Sequence, residues 1–251
     1  MLAVIPARLA ATRLPDKPLR LLGGAPLVVR VWERVLALGV ADRIVVATDS
    51  ERVADVARGA GADVALTSSA HPAGTDRVAE VAAMGAHRDV DAILNIQGDE
   101  PFVSERVVRG ALAMVRDRGF ELGTAAVPAP PDVRGRPDVV KVVAADDGRA
   151  LYFSRAGIPH VRDSDDAHVA NALLMQHVGV YSYTPAALAR WVALPEHPLE
   201  RAERLEQLRP LAAGMAMGVA IVQEEAIRGI DTEADLNAAN ARWAELMPGQ
   251  S

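Results

Sequence analysis

The 251-residue chain contains no cysteine. That absence excludes disulfides, thiolate nucleophiles and cysteine-ligated zinc, so nothing in the chain depends on an oxidising compartment. Aromatic residues are scarce at 4%, and positive charge is not in excess, since 27 Lys and Arg face 33 Asp and Glu and give a net charge of −6. Broad nucleic-acid binding requires a basic surface, so we expect no nucleic-acid partner.

Long apolar runs are also missing. The run from Met1 to Ala7 stops at Arg8, short of a signal-peptide core of about 7–15 residues followed by a cleavage site. The uncharged, mainly apolar stretch Leu211 to Gln223 is shorter than the ~20 residues that span a bilayer. Half of the residues are nevertheless apolar, which suits a folded core and excludes a disordered chain. We expect a cytoplasmic protein without membrane insertion.

Short β-rich runs alternate with stretches of helical spacing in the first half of the chain. This alternation predicts right-handed crossovers and an α/β fold with three layers and a mainly parallel sheet. The predicted strands are Leu2–Pro6, Arg43–Ala47, Asp63–Leu66, Ala92–Ile96 and Leu122–Val127.

The second half breaks this rhythm. Asp146-Asp147-Gly148 is a turn signal between two β-rich runs, Val139–Ala144 and Arg149–Phe153, and predicts a hairpin. Further strands are predicted at Gln176–Tyr183 and Met217–Gln223, helices at Pro185–Val192, Leu199–Ala213 and Glu233–Leu246, and exposed loops at Pro128–Pro137 and Arg162–Ala170. The economical interpretation is a single catalytic domain over residues 1–251 with a β-rich insertion at about 128–185.

A cationic loop follows the first predicted strand, where open parallel sheets bind ligands. Between Arg8 and Arg20 it carries four cations and one acid. The small residues Ala7, Ala10 and Ala11 would let backbone N–H groups approach a ligand, and spaced cations suit a triphosphate. The alternative is a solvated surface loop. The chain has neither a GxxxxGKS phosphate loop nor a GxGxxG dinucleotide fingerprint.

Two aspartates are candidate Mg²⁺ ligands. Asp99 follows the fourth strand directly after Gly98, which permits close backbone approach, and Asp231 lies in a similar Gly-containing turn. Each has a structural alternative. Asp99 could be a turn residue before a helix, and Asp231 could cap the last helix.

Seven motifs, in order, resemble those of the 3-deoxy-manno-octulosonate (Kdo) cytidylyltransferases, over residues 3 to about 240. They are Ile5-Pro6-Ala7-Arg8 with Thr12-Arg13-Leu14-Pro15-x-Lys17-Pro18-Leu19, Gly74-Thr75-Asp76-Arg77, Asn95-Ile96-Gln97-Gly98-Asp99-Glu100-Pro101, Leu151-Tyr152-Phe153-Ser154-Arg155, His177-x-Gly179-x-Tyr181-x-Tyr183, Leu205-Glu206-Gln207-Leu208-Arg209 and Gly229-Ile230-Asp231-Thr232. Each motif alone is weak, but their order is very specific.

The resemblance implies transfer of CMP from CTP to Kdo, with release of diphosphate, for lipopolysaccharide assembly. It also implies a nucleotide-diphospho-sugar transferase fold and a homodimer formed through the inserted region. The implied CTP contacts are Ala7, Arg8, Arg13 and Lys17, chiefly to the phosphates, with Gly74, Thr75 and Arg77 around the cytidine. The implied Kdo contacts are Gln97, Arg155, His177, Tyr181, Glu206 and Gln207. The implied catalytic set is Arg8, Lys17, Asp99 and Asp231, and the two aspartates would hold Mg²⁺.

Two departures from the family pattern concern the cationic loop and the Gly74–Arg77 turn. Asp16 stands where the family commonly has Gly, and Ala11 and Ala73 replace hydroxyl residues. We expect these changes to alter CTP affinity rather than to abolish function.

Three other functions stay open at this point. The first is a cytidylyltransferase for another acidic sugar. Sialate enzymes share the Pro-Ala-Arg opening but typically continue with a Gly- and Lys-rich loop, unlike Thr12-Arg13-Leu14-Pro15, whereas 8-amino-Kdo is harder to exclude because one exocyclic group decides it. A nucleotide-binding regulator without turnover would not need two carboxylates for a metal. A glycosyltransferase would usually carry an Asp-x-Asp motif at the fourth strand, and this chain has none there.

The Gly74–Arg77 segment generates a prediction about base selectivity. We expect the chain to use CTP in preference to UTP, because the exocyclic amine of cytosine and the carbonyl of uracil exchange donor and acceptor at one position. One misplaced buried hydrogen bond costs about 1–3 kcal/mol, or roughly 5- to 150-fold in selectivity. Diphosphate release from each nucleotide with Kdo measures it, and equal turnover of both would contradict it.

Overall fold

The computed structural model describes residues 1–10, 13–225 and 229–246. The strands in chain order are β1 (Leu2–Pro6), β2 (Leu21–Leu22), β3 (Ala25–Pro26), β4 (Arg43–Thr48), β5 (Asp63–Leu66), β6 (Ile93–Ile96), β7 (Leu122–Pro128), β8 (Lys141–Ala144), β9 (Ala150–Ser154), β10 (Met175–Tyr183) and β11 (Met217–Ile221). The α-helices are α1 (Leu27–Leu38), α2 (Glu51–Gly59), α3 (Gly74–Ala83), α4 (Glu105–Arg116), α5 (Ala167–Ala172), α6 (Pro185–Ala193), α7 (Pro198–Glu203), α8 (Leu208–Ala212), α9 (Glu233–Ala241) and α10 (Trp243–Leu246). Among the described residues, no helix is long and apolar enough to cross a membrane.

The chain forms two compact units. Unit 1 comprises residues 1–105 and 227–251, and unit 2 comprises residues 106–226. The sequence-based division, a single domain with an insertion at about 128–185, stays a prediction.

Unit 1 is built on four parallel strands in the order β6-β1-β4-β5. All five residues of β1 are buried, as expected for a central parallel strand covered on both faces. The register pairs Leu2 with both Arg43 and Ile93, so β1 lies between β4 and β6. The loops after β1 and β6 therefore leave the sheet at the same edge.

Unit 2 has mixed strand directions. The strand β7 is parallel to β11 and antiparallel to β10, while β8 pairs antiparallel with both β10 and β9. The hairpin predicted around Asp146-Asp147-Gly148 is confirmed, and Gly148 adopts φ +87°, which favours glycine.

Three predicted segments differ from the structure. The predicted helix Leu199–Ala213 is two short helices, α7 and α8, because Arg204 adopts a left-handed conformation with φ +54°. The predicted helix Glu233–Leu246 is divided at Arg242 into α9 and α10. The predicted loop Arg162–Ala170 overlaps the short 3-10 helix Ser164–Asp166 and α5.

A buried ion pair joins α7 to α8. The guanidinium of Arg209 donates two hydrogen bonds to the Glu200 carboxylate, Nε to Oε2 at 2.8 Å and Nη2 to Oε1 at 2.6 Å. The two side chains are only 9% and 11% exposed. Burial alone would raise the pKa of Glu200, but the hydrogen bonds and charge of Arg209 hold it below its ordinary value.

We predict that Arg209→Met destabilises the chain by about 3–5 kcal/mol near neutral pH, because it leaves a buried carboxylate without its counter-charge. A folded pKa below the unfolded one gives stability that is present above the ordinary glutamate range and is lost as pH falls through the folded value. The difference in free energy of unfolding between the wild type and the variant should therefore decrease as the solution is acidified. Urea unfolding at several pH values measures both effects.

The matched control is Arg190→Met. Arg190 makes a similar two-bond pair with Glu121, at 2.7 and 2.9 Å, but these side chains are 52% and 40% exposed. Exposed pairs contribute about 0–1 kcal/mol, so this variant should stay near wild type. Equal losses in the two variants would refute the buried-pair argument.

Candidate active site

Three segments of unit 1 meet at the carboxyl edge of its sheet. The first follows β1 and leads into the 3-10 helix Lys17–Leu19, the second follows β6 and carries Asp99, and the third precedes α9 and carries Asp231. The amide of Ile230 donates to the Asp99 carbonyl oxygen at 2.8 Å, which joins the second and third segments. Glycines allow these close approaches. A Cβ at Gly98 would lie 2.7 Å from the Pro6 carbonyl oxygen, and one at Gly229 would lie 3.0 Å from that of Asp99.

The ammonium of Lys17 lies between the two aspartates. Its Nζ is 2.6 Å from Asp99 Oδ2 and 2.8 Å from Asp231 Oδ1. The Arg13 Nη2 atom reaches the other oxygen of Asp231 at 3.1 Å. The expectation that both aspartates share one edge is confirmed. Sequence reasoning missed that Lys17 bridges them, because spacing gives no side-chain partner.

This arrangement decides the two structural alternatives for the aspartates. Helix α9 is capped by Thr232 and Asp235 in a capping box, in which each side chain accepts the other's backbone N–H. The Asp231 carboxylate contacts Lys17 and Arg13 instead. Asp99 likewise uses its carboxylate on Lys17. Neither residue is therefore only a cap or a turn residue.

The charges of this cluster are tightly linked. Burial alone would lower the pKa of Lys17, but the charges of Asp99 and Asp231 and their hydrogen bonds raise it above its ordinary value. Burial alone would raise the pKa of Asp231, but Lys17 and Arg13 lower it. Glu100, which the sequence analysis assigned no role, has a pKa raised to about 8 by burial and by the charges of Asp99 and Asp231. At neutral pH Lys17 is therefore charged, Asp231 is ionised and Glu100 is largely neutral.

The donor set of this cluster suits a hard cation only in part. Among the described residues, no group of three or more His, Cys, Asp or Glu side chains is arranged to hold a metal ion. Two converging carboxylates still fit Mg²⁺, which keeps several waters and takes other oxygens from substrate phosphates.

The remaining residues of the cationic loop divide into buried and exposed positions. Ala7 is buried, and its N–H donates to the Ala47 carbonyl at 2.8 Å, so this amide extends the sheet instead of facing a ligand. Arg8 is exposed and makes no hydrogen bond or ion pair with the described residues. Asp16 adopts φ +53°, which explains a family preference for Gly, and its carboxylate lies 3.7 Å from Arg52. Ala11 lies outside the described residues.

The segment Gly74–Arg77 is the first turn of α3, where sequence reasoning placed only a turn. Gly74 lies beside Pro6 and the Gln97 amide oxygen, 3.5–3.6 Å from where its Cβ would be. Thr75 is buried, and Arg77 is 3% exposed. The Arg77 guanidinium is bound by the Thr67 hydroxyl and, at 3.1 Å, by Asp49 Oδ2. This geometry makes Arg77 an anchor of α3, so its contact with cytidine stays a prediction without direct geometric support.

The residues predicted for the sugar lie in both units. Gln97, in unit 1, donates through Nε2 to Asn95 Oδ1 at 3.2 Å. In unit 2 the His177 ring lies 5.1 Å from Phe153 and 5.3 Å from Tyr181, centroid to centroid, and its Nε2 is 2.9 Å from the Thr124 hydroxyl. Burial lowers the pKa of His177 to about 3, so the imidazole is neutral at physiological pH.

The other four predicted sugar residues, Tyr181, Glu206, Gln207 and Arg155, also lie in unit 2. Burial, followed by the charge of Glu206, raises the pKa of Tyr181, which shows that this carboxylate is near the phenol. Gln207 is 3% exposed. Arg155 uses three of its N–H groups on backbone carbonyls of Pro137, Glu203 and Arg204, which indicates a structural role in addition to the predicted contact with a sugar carboxylate.

Comparison with known proteins agrees with this geometry. The family model described as Cytidylyltransferase matches residues 2–221. A relative from Gemmatimonas aurantiaca, named 3-deoxy-manno-octulosonate cytidylyltransferase, is 57% identical over 251 residues, which cover all of this chain and 97% of the relative. A relative of the same name from Xanthomonas campestris pv. campestris is 44% identical and covers 97% of this chain and 99% of its own length.

A solved structure extends this agreement to three dimensions. The structure of a CMP:2-keto-3-deoxy-manno-octonic acid synthetase complexed with CTP matches with a TM-score of 0.88 and 35% identity, over 98% of this chain and 99% of that one. The predicted α/β class, with a mixed and mainly parallel arrangement of strands, is confirmed. Fold and site together define a nucleotidyltransferase. The chain belongs to the 3-deoxy-manno-octulosonate cytidylyltransferase family.

The close approach at Gly98 generates a prediction. In Gly98→Ala the added methyl group would meet the backbone oxygen of Pro6, so the loop that carries Asp99 must move away from Lys17. A displacement of about 1 Å at such a site costs on the order of 10²-fold, and we expect CTP affinity to fall at least about 10-fold. Titration calorimetry with CTP measures it.

The control variant is Gly85→Ala in the same unit, where an added Cβ would meet nothing within 4 Å. This variant should bind CTP as the wild type does. Wild-type affinity in Gly98→Ala would show that the loop tolerates displacement.

Proposed function

We propose that the chain transfers CMP from CTP to the anomeric hydroxyl of Kdo and releases diphosphate. The observation that carries the proposal is the cluster of Lys17, Arg13, Asp99 and Asp231 at the carboxyl edge of the unit 1 sheet. Relatives of high identity that bear this activity in their names support the choice of substrates.

The reaction joins two anions. The sugar oxygen forms a bond to the α-phosphorus of CTP, and the bond from that phosphorus to the bridging oxygen of the β-phosphate breaks. Diphosphate leaves, and the hydroxyl proton passes to water. Positioning and charge neutralisation supply most of the catalysis in phosphoryl transfer, and no covalent enzyme intermediate is needed. The cations of the β1 loop suit both tasks.

Lys17 and Arg13 provide the positive charge for the phosphates. The raised pKa of Lys17 keeps its ammonium fully protonated at neutral pH. The two cations face two carboxylates here, and phosphate oxygens are chemically similar acceptors. Arg8, exposed and without a partner among the described residues, is suited to bind the same triphosphate.

Asp99 and Asp231 would hold Mg²⁺. Each carboxylate has about four lone-pair sites, so the bonds to Lys17 do not exhaust their capacity. When bound, the ion would withdraw electrons from the α-phosphate and screen the developing charge. The protein's own contribution is to keep the Asp231 carboxylate ionised, because Lys17 and Arg13 lower its pKa.

The unit 2 residues would bind the sugar. Tyr181, Glu206 and Gln207 offer donors and acceptors for hydroxyl groups, and Arg155 can pair with the sugar carboxylate through its remaining N–H groups. The pKa of His177, near 3, makes it a poor base and favours an orienting role through hydrogen bonds. The product, CMP-Kdo, would serve lipopolysaccharide assembly, and the expected homodimer and cytoplasmic location belong to the same proposal.

Diphosphate release with CTP tests the proposal against a panel of Kdo, 8-amino-Kdo and a sialic acid. We expect Kdo-dependent release that exceeds release with either alternative sugar. Release that is independent of sugar, or a preference for the sialic acid, would refute the assignment. A preference for 8-amino-Kdo would keep the reaction class and change the substrate.

The metal site is tested through its two ligands. We predict that Asp99→Asn and Asp231→Asn each remove most turnover with the fold intact, because each loses a ligand for one ion. The double variant should lose much less than the product of the two single losses, since both residues act as a unit. EDTA should abolish wild-type turnover, and added Mg²⁺ should restore it.

Asp89→Asn is the matched control, since Asp89 is exposed in the same unit. It should retain wild-type turnover and metal dependence. Direct binding of Mn²⁺, followed by electron paramagnetic resonance with CTP present, should weaken in both site variants and not in the control. Normal turnover of either site variant at limiting Mg²⁺ would remove that aspartate from the metal site.

A further inference from the structure

A fully buried lysine in unit 2 has no role in the reaction described above. The Lys141 side chain is 0% exposed, and its ammonium donates to three backbone carbonyl oxygens, those of Arg136 at 2.7 Å, Val139 at 2.6 Å and Arg155 at 2.5 Å. An ammonium has three N–H donors, so all are used. Lysine is among the residues least often fully buried, because a buried charge is costly unless it is hydrogen-bonded. The three carbonyls offset this cost for Lys141.

Arg155 continues this arrangement. Its Nε donates to the Glu203 carbonyl at 2.8 Å, Nη1 to that of Pro137 at 2.9 Å and Nη2 to that of Arg204 at 3.3 Å. The two cations thus bind six carbonyl oxygens. We call these two side chains and the six carbonyls the carbonyl cage. It joins three segments, residues 136–139, residue 155 and residues 203–204.

The Glu203 side chain closes the cage on a second side. Its Oε1 accepts from the Ser154 hydroxyl at 2.6 Å, and its Oε2 accepts from the Arg155 N–H at 2.9 Å. The end of α7 is therefore bound to the end of β9 by both its backbone and its side chain.

The cage acts on an unusual turn. Arg204 ends α7 in the left-handed conformation, φ +54° and ψ +47°, which disfavours every residue except glycine and, to a lesser extent, asparagine and aspartate. The cage binds the carbonyls of Glu203 and Arg204, at and just before this turn. Leu205, which is buried, follows, and then Glu206 and Gln207. The turn thus fixes the direction in which these two predicted sugar contacts leave α7.

The same residues lie beside the aromatic group predicted for the sugar. Glu206 is near enough to the Tyr181 phenol to help raise its pKa, and the Tyr181 ring lies beside that of His177 with a centroid distance of 5.3 Å and a tilt of 52°. A shift of the Arg204 turn would therefore move Glu206 relative to the rings of Tyr181 and His177.

We propose that Lys141 is a positioning residue for sugar binding, which acts through Arg155 and the left-handed turn at Arg204 to place Glu206 and Gln207. The inference rests on the proposed function. It also separates two roles of Arg155. An Arg155→Ala variant would raise the KM for Kdo whether Arg155 binds the sugar or holds the turn, but Lys141 is buried and acts only through the cage.

Lys141→Met tests the inference, because methionine fills the space and supplies neither the charge nor the three N–H donors. We expect the KM for Kdo to rise at least about 10-fold, since small misplacements of substrate-positioning groups cost one to two orders of magnitude. The KM for CTP should stay within about twofold, because the proposed nucleotide contacts lie in unit 1. Circular dichroism at the assay temperature establishes that the variant is folded.

A second substitution distinguishes positioning from general stability. Glycine adopts the left-handed conformation without steric cost, so Lys141→Met/Arg204→Gly should recover part of the affinity for Kdo. Val219→Ala is the matched control. It removes buried volume from β11 in the same unit without touching the cage, so thermal stability should fall while the KM for Kdo stays unchanged.

Each result decides the inference. A folded Lys141→Met variant with an unchanged KM for Kdo, or a Val219→Ala variant with the same rise, would show that the cage only stabilises the fold. If Lys141→Met fails to fold, Glu203→Gln carries the same test, since it removes one acceptor and the charge facing Ser154 and Arg155. A wild type without Kdo-dependent release would refute the proposed function, whereas an active wild type with no Kdo-specific change in the variants refutes this inference alone.

Discussion

The bridge from the Lys17 ammonium to Asp99 and Asp231 is the interaction on which the unit 1 site depends. Two carboxylates at one place repel each other, and one of them would take up a proton without a cation between them. Burial, together with the charges of Asp99 and Asp231, raises the pKa of neighbouring Glu100 to about 8, although Lys17 acts in the opposite direction. The sheet makes the bridge possible, because parallel β1 and β6 deliver their following loops to one edge, and the hydrogen bond from Ile230 to Asp99 brings the third segment there.

Strand positions were predictable because an apolar run bounded by polar residues carries the signal within itself. Leu2–Pro6 and Asp63–Leu66 have the predicted bounds. The prediction of one helix over Leu199–Ala213 was wrong because the residue that ends α7 carries no such local signal. Arginine is a good helix former, so nothing local marks Arg204 as the residue that ends α7. The carbonyls there are bound by Arg155, almost fifty positions earlier, and a contact of that range has no trace in the local pattern.

In the candidate site, too, the sequence predicts where some residues lie but does not predict which partners their side chains contact. The place of Asp99 at the edge beside the β1 loop followed from topology, since loops after parallel strands lie together. Asp231 precedes α9 and reaches that edge through the hydrogen bond from Ile230 to Asp99. The partners of the side chains could not be predicted from topology. Arg77 lies in a family motif implied to surround the cytidine, yet its guanidinium is buried against Asp49 and Thr67. Asp16 stands where the family commonly has glycine, and only the backbone angle explains why that position favours a residue tolerant of positive φ. A motif specifies which side chain is present, and the fold decides what it touches.

The two lysines of this chain, Lys17 partly buried and Lys141 fully buried, illustrate how the partners of a cation decide what it does. Lys17 faces carboxylates, which can also bind a metal ion, and its ammonium can also bind phosphate. The bonds of Lys17 can therefore be exchanged when a highly charged ligand arrives. Lys141 faces neutral carbonyls, and burial lowers its pKa. No anion from solution can replace three backbone carbonyls without unfolding the segments that carry them. A lysine among carboxylates is therefore suited to a step that moves charge, whereas a lysine among carbonyls fixes the backbone. Lys17 is therefore suited to take part in the reaction, and Lys141 to hold the backbone that positions other residues.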